Sequence, residues 1–168
     1  YIVPLIALAN DKFKDFKRKY EHIFRVTQSS GDLDTNDGYL SDYDLIICTA
    51  EKLDSLTRHH APWLSRIGCI ILDEIHLLND TARGPTLEIL ITLLRQLVPH
   101  AQIIGLSATI GNPEELATWL DAELVQDTWR PVPLHKGVYC EGTITFDTEQ
   151  TTAQTDLEHS NQPKQTKP

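Results

Sequence analysis

Three nearly continuous apolar runs, Leu45–Cys48, Ile67–Leu72 and Ile103–Leu106, divide the chain into regular units. Apolar residues in unbroken succession, rather than in alternation, are expected of strands buried on both faces, as in a parallel sheet covered by helices. Residues 1–8 predict a further strand that enters a turn at Pro4, and Phe24–Gln28 predict another. Between these two, Ala9, Phe13, Phe16, Tyr20 and Ile23 recur at steps of four and three, which is one face of a helix. Pro85 suits the first turn of a second helix, backed by a stripe of Leu87, Leu90, Ile91, Leu94, Leu97 and Val98. After the third run, Asn112 is placed to cap a helix, Pro113 fits its first turn, and Glu114 and Glu115 complement its dipole. Leu116, Trp119 and Leu120 would supply the buried face of that helix. Strand and helix alternate throughout, which predicts an open α/β sheet with right-handed crossovers.

Two stretches break the pattern. Residues 29–42 are rich in Ser, Gly, Asp and Asn and read as a loop. From Asp147 to Pro168 the only sizeable apolar residue is Leu157, so this segment reads as a disordered polar tail, unable to offset its ordering entropy by burial. There are no internal repeats.

Composition adds bounds. The 168 residues suffice for one domain with a sizeable core, and no stretch approaches the roughly 20 apolar residues of a membrane span. Tyr1-Ile2-Val3-Pro4 lacks the charged start of a signal peptide, so the expected compartment is the cytoplasm. There is no methionine at all, which favours a piece of a longer polypeptide. Cys48, Cys69 and Cys140 have no metal-site spacing, and the first two lie in apolar runs that predict small buried hydrophobes. A net charge of −9 argues against a general polyanion-binding surface. A local one remains open in Lys12, Lys14, Lys17, Arg18 and Lys19, which equally read as a solvated helix face.

The chemistry concentrates in Cys69-Ile70-Ile71-Leu72-Asp73-Glu74-Ile75-His76. An apolar strand delivers two adjacent carboxylates and a histidine to its C-terminal end, where open α/β sheets bind ligands. Phosphoryl transfer needs a carboxylate near Mg²⁺ and a second group that orients or deprotonates the attacking water. Asp73 suits the first task and Glu74 the second. The alternative is a strand that merely ends in a polar turn. Ser107-Ala108-Thr109 follows the next predicted strand, and adjacent strand ends would bring its hydroxyls close to Asp73 and His76. With Asn112 as the helix cap, those hydroxyls are free for another task.

Asp73-Glu74-Ile75-His76 resembles motif II of the DExH-box helicases of superfamily 2, and Ser107-Ala108-Thr109 resembles their motif III. The segment from Pro4 to Lys12 is similar to motif Ia, and Thr49-Ala50-Glu51-Lys52 to motif Ib. Ser30-Gly31-Asp32, the segment from Arg83 to Glu88, and Trp129-Arg130-Pro131-Val132-Pro133-Leu134 extend the likeness. Together they resemble the Ski-like branch, and within it the archaeal DNA helicases of stalled-fork repair. The resemblance runs in order from about residue 2 to residue 146. It implies a RecA-like three-layer α/β fold, truncated at its N-terminal side, that uses ATP and Mg²⁺ to translocate on and unwind nucleic acid, DNA rather than RNA. Asp73 would hold Mg²⁺ through water, and Glu74 would be the catalytic base. His76, with Ser107, Ala108 and Thr109, would couple nucleotide state to strand contacts. Pro4, Leu5, Thr49, Glu51 and Lys52 would line the path of a single-stranded or forked nucleic acid, with Gly31 and Arg83 contributing. Thr49, where an apolar strand meets a helix start, is a natural anion site.

The departures from the family pattern are equally specific. No G-x-x-x-x-G-K-[ST] phosphate loop is present, and the pattern places it upstream of motif Ia. The expected division is a partial first RecA-like domain over residues 1–135, the start of a linker over 136–146, and the tail over 147–168. Other helicase domains, or a complementary chain, would then be partners. One rival is a decayed relative that only binds a strand or a partner; another is a metal-dependent hydrolase using Asp73, Glu74 and His76 directly. His59 and His60 lack metal-ligand spacing, and Trp63 and Trp119 fall at core-like positions rather than as base-stacking platforms.

Overall fold

A computed structural model of the chain describes residues 1–30, 37–127, 129 and 131–146. Gly31, Asp32, Arg130 and the segment expected to form the tail lie outside the described residues. The chain divides into two units, Tyr1–Leu124 and Val125–Pro168.

The first unit is built on five parallel strands, β1 (Ile2–Val3), β2 (Val26–Ser29), β3 (Leu45–Thr49), β4 (Cys69–Leu72) and β5 (Gln102–Gly105), in the spatial order β2-β3-β1-β4-β5. Register is set by pairs such as Ile2 with Cys48 and with Leu72, and Ile70 with Ile103. Successive side chains point to opposite faces, and both faces are covered. On one face Val3, Val26 and Ile47 pack under helix α1 (Ile6–Tyr20) through Ala9, Phe13 and Phe16. On the other, Ile2, Cys48, Ile70 and Leu72 meet Leu53 and Leu56 of α2 (Ala50–Arg58) and Leu87, Leu90, Ile91 and Leu94 of α3 (Gly84–Leu97). Leu116, Trp119 and Leu120 of α4 (Pro113–Leu120) pack against the same core. The result is the RecA-like three-layer α/β architecture that the motifs implied.

Several local expectations need correction. The first strand is only Ile2–Val3, and α1 starts at Ile6, because Leu5 takes an extended N-cap conformation directly after Pro4. An apolar run as short as Leu5–Leu8 does not separate strand from helix by periodicity. The same helix stops at Tyr20, where a turn takes over, so Ile23 is exposed instead of completing the buried face. Leu97, placed in the buried stripe of α3, is half exposed. Cys69 opens β4 and is exposed, whereas Cys48, at the centre of the sheet, is buried, which pushes its thiol pKa up. Asn112 occupies the N-cap of α4, but its side-chain amide donates to Glu115 Oε2 at 2.7 Å and makes no cap hydrogen bond.

The second unit contains an antiparallel hairpin, β6 (Gly137–Cys140) and β7 (Thr143–Phe146), with Glu141 and Gly142 in left-handed conformations at its turn. This paired ribbon, from Gly137 to Phe146, lies within the segment expected to begin a linker.

Candidate nucleotide and strand site

The chemistry-bearing residues gather at the C-terminal ends of β4, β1 and β5. The chain after β4 is pinned from both sides: the Asp73 amide donates to Ile2 O at 2.9 Å, and the Ile75 amide to Leu106 O at 2.9 Å. Glu74, between these anchors, sits at φ 56°, ψ 45°. A left-handed non-glycine residue carries strain of about 1 kcal/mol and persists only where its neighbours enforce it. Here both flanking amides are committed to adjacent strands. Ile75 is buried against Gly105, where a Cβ would stand 2.9 Å from Ile75 Cδ1, so the glycine makes room for this tight exit.

The turn projects the acidic and imidazole groups toward the segment that follows β5. His76 Nδ1 lies 3.1 Å from Ser107 Oγ and 3.3 Å from Glu74 Oε2. Ser107 Oγ gives its own proton to Thr109 O at 3.2 Å, so it accepts from a His76 Nδ1–H. Of the hydroxyls expected beside Asp73 and His76, that of Ser107 meets His76, while Thr109 enters through its backbone carbonyl and Asp73 turns to other partners. Ala108 lies exposed between the two hydroxyl residues.

Asp73 faces the opposite way, onto the side covered by α1. Its Oδ2 accepts from the Tyr1 hydroxyl at 2.8 Å and pairs with Lys12 Nζ at 3.2 Å. Burial, and then the hydrogen bond to Asp73, raise the Tyr1 hydroxyl pKa above its ordinary value. The Lys12 ammonium is also held above the usual lysine range, first by its approach to the Tyr1 hydroxyl and then by Asp73, against the opposing effect of burial. The sequence offers Lys12 only as the end of the motif Ia segment and as part of the basic cluster, not as a partner of Asp73, and does not single out Tyr1. The signal existed for Lys12, which lies three residues after Ala9 and four before Phe16 and so shares their inward face.

The strand-contact candidates disperse. Pro4 O accepts from Arg83 Nη1 at 3.2 Å, which joins two of them, and Leu5 is exposed beside this contact. Thr49 caps α2 by accepting from the Lys52 amide at 3.3 Å and is itself buried, while Glu51 is exposed. Lys52 is a correction: its side chain is buried and pairs with Asp37 Oδ2 at 2.9 Å, so its charge is not presented to a passing strand. The reason is positional, since Lys52 falls on the core-facing side of α2 beside Leu53 and Leu56. The basic segment of α1 is partly self-neutralised, with Arg18 and Lys19 both on Asp15 at 2.8 Å. Trp63 is buried and Trp119 half-buried, as core positions require. Gly31 lies outside the described residues.

An Mg²⁺ ion in a nucleotide site is held by one or two carboxylates together with phosphate oxygens and water. Asp73 fits that mode, as a single largely buried carboxylate at a strand end whose Oδ1 has no protein partner among the described residues. Among those residues, no group of three or more His, Cys, Asp or Glu side chains is placed to hold a metal ion.

The DEAD/DEAH box helicase family matches residues 1–116, more than half of the chain. This chain belongs to the DEAD/DEAH box helicases. It is 56% identical over 147 residues to a protein named ATP-dependent DNA helicase Hel308 from Methanocaldococcus jannaschii, covering 87% of this chain and 12% of that protein. Proteins of the same name from Methanococcus vannielii and Pyrococcus horikoshii are 52% and 51% identical over 147 residues, covering 87% and 88% of this chain. The chain spans 19% and 20% of the lengths of those two helicases. No helix among the described residues of this helicase-family chain is long and apolar enough to cross a membrane.

Proposed function

We propose that this chain contributes one half of the ATP site, and part of the strand-binding surface, of an ATP-dependent DNA helicase. The observation that carries the reading is the strained Glu74 between two anchored amides, with His76 joined to Ser107 across the ends of β4 and β5. Asp73 would hold Mg²⁺, which when bound neutralises charge on the phosphates. Glu74 is positioned to orient a water and take its proton, and His76 hands any change at this turn to Ser107 and Thr109. The exposed Pro4–Leu5 turn and Arg83, with Thr49 and Glu51 at the start of α2, are the groups we assign to single-stranded or forked DNA. The remaining phosphate contacts and the second motor domain belong to other segments or to a complementary chain. DNA as the substrate is supported by the names of the three relatives given above, each an ATP-dependent DNA helicase.

The test joins this chain to the flanking segments of the Methanocaldococcus jannaschii relative and measures DNA-stimulated ATP hydrolysis. Turnover in the graft that is abolished in Glu74→Gln, while ATP binding survives, supports the assignment. Unchanged turnover in Glu74→Gln removes Glu74 as the base. Absence of turnover in the intact graft, with ATP and DNA both bound, favours a remnant that only binds.

A further inference from the structure

Asp73 Oδ2 is held by two groups from the N-terminal part of the chain. Tyr1 comes from the residue before β1 and Lys12 from the middle of α1. Lys12 Nζ stands 5.3 Å from the Tyr1 ring centroid, and the Tyr1 ring meets Phe16 edge-on at 5.2 Å. The aspartate side chain is 13% exposed and the lysine 32%, so the pair is shielded beyond the usual surface ion pair. A second strut, Arg83 to Pro4 O, ties the chain just before α1 to the segment after β4. The helix that follows the Pro4–Leu5 turn is thus fastened to the carboxylate assigned to the metal.

We infer that Lys12 is a positioning residue that a divalent cation must displace from Asp73, so that metal arrival at the strand end loosens α1. The inference rests on the assignment of Asp73 as the metal carboxylate. An ammonium on Oδ2 and a divalent ion on Oδ1 of the same carboxylate repel each other strongly in a shielded site, so the two cannot both hold Asp73 at full strength. Removing the ammonium leaves the carboxylate to the metal alone. Losing Lys12 need not unfold α1, which keeps Ala9, Phe13 and Phe16 in the core.

The probe is Mn²⁺ alone, titrated into the full chain and followed by electron paramagnetic resonance of the free ion, with hydrogen exchange of residues 6–20 measured in parallel. Lys12→Met should bind Mn²⁺ about threefold or more tighter than the parent chain, and Lys12→Arg should restore the parent affinity. Amides of α1 should exchange faster in the parent chain when Mn²⁺ is added, and should be fast and insensitive to Mn²⁺ in Lys12→Met. Asp73→Asn should abolish binding in every background. If Asp73→Asn removes binding while Lys12→Met binds no tighter than the parent, the role of Lys12 is overturned and the metal assignment stands. If Asp73→Asn binds as the parent does, or neither the parent nor Lys12→Met binds Mn²⁺, the metal assignment fails and takes this inference with it. Binding that emerges only in Lys12→Met supports displacement.

Discussion

His76 Nδ1 and Ser107 Oγ, 31 residues apart in sequence, lie 3.1 Å from each other at the ends of two paired strands. The pairing of β4 with β5, Leu72 opposite Gly105, makes the contact unavoidable, because each side chain follows its strand by a few residues. The bond is exposed, so its removal in Ser107→Ala should cost under about 1 kcal/mol of stability in urea unfolding. In the grafted helicase the same variant should keep basal ATP hydrolysis while losing most of its stimulation by single-stranded DNA. Stimulation equal to the parent's would remove this contact from the coupling path.

Glu74 offers a trade of stability against function. Glycine tolerates φ 56° without strain, so Glu74→Gly should stabilise the chain by about 1 kcal/mol in urea or thermal unfolding. It should also eliminate hydrolysis in the graft. A destabilised Glu74→Gly would show that the glutamate's contacts outweigh its backbone strain.

Gly84 tests close packing at the start of α3. A Cβ there would fall on the Leu78 carbonyl oxygen, and backbone cannot step aside as a side chain can. Gly84→Ala should lose about 1–3 kcal/mol, whereas Gly105→Ala, which meets only the Ile75 side chain, should lose less. Parallel denaturation curves of the two variants check the order.

Lys52 separates a structural charge from a binding one. Breaking a buried pair by removing one partner costs about 3–5 kcal/mol. Lys52→Ala should therefore destabilise strongly, because Asp37 stays behind, and Lys52→Met should recover the packing part of that loss. Neither variant, while folded, should reduce the salt dependence of single-stranded DNA binding. A reduced slope would mean that Lys52 reaches a phosphate after all.

Acid stability should follow Asp80 and Asp44. Backbone hydrogen bonds, from Arg83 and Ala82 to Asp80 and from Arg25 to Asp44, hold both carboxyls below the usual aspartate range. A depressed folded pKa stabilises above the unfolded value, near about 3.9, and that stability is lost as pH falls through the lower folded value. Unfolding free energy should therefore decline below about pH 4, and Asp80→Asn should flatten the decline. An unchanged slope in Asp80→Asn would show that its N–H bonds do not survive in solution.

Much of this molecule is written locally. Nearly continuous apolar runs at 45–48, 67–72 and 103–106 predict strands of a covered sheet, which β3 and β4 meet with buried residues, while β5 at the sheet edge stays half-buried. The polar residues directly after two of those runs lie at strand ends by the same logic, so Asp73, Glu74, His76 and Ser107 were legible as a group. Strand order was not. Only folding sets β1 between β3 and β4, which brings Tyr1 and Lys12 onto Asp73. Lys52 is a basic residue at a helix start in sequence, but in space it points inward to Asp37, because the facing of a helix is decided by the sheet it packs on. The left-handed turn at Glu74 has the same origin. Its flanking amides are claimed by Ile2 and Leu106, acceptors that lie beyond any local window, and a strained conformation is held only by such distant partners.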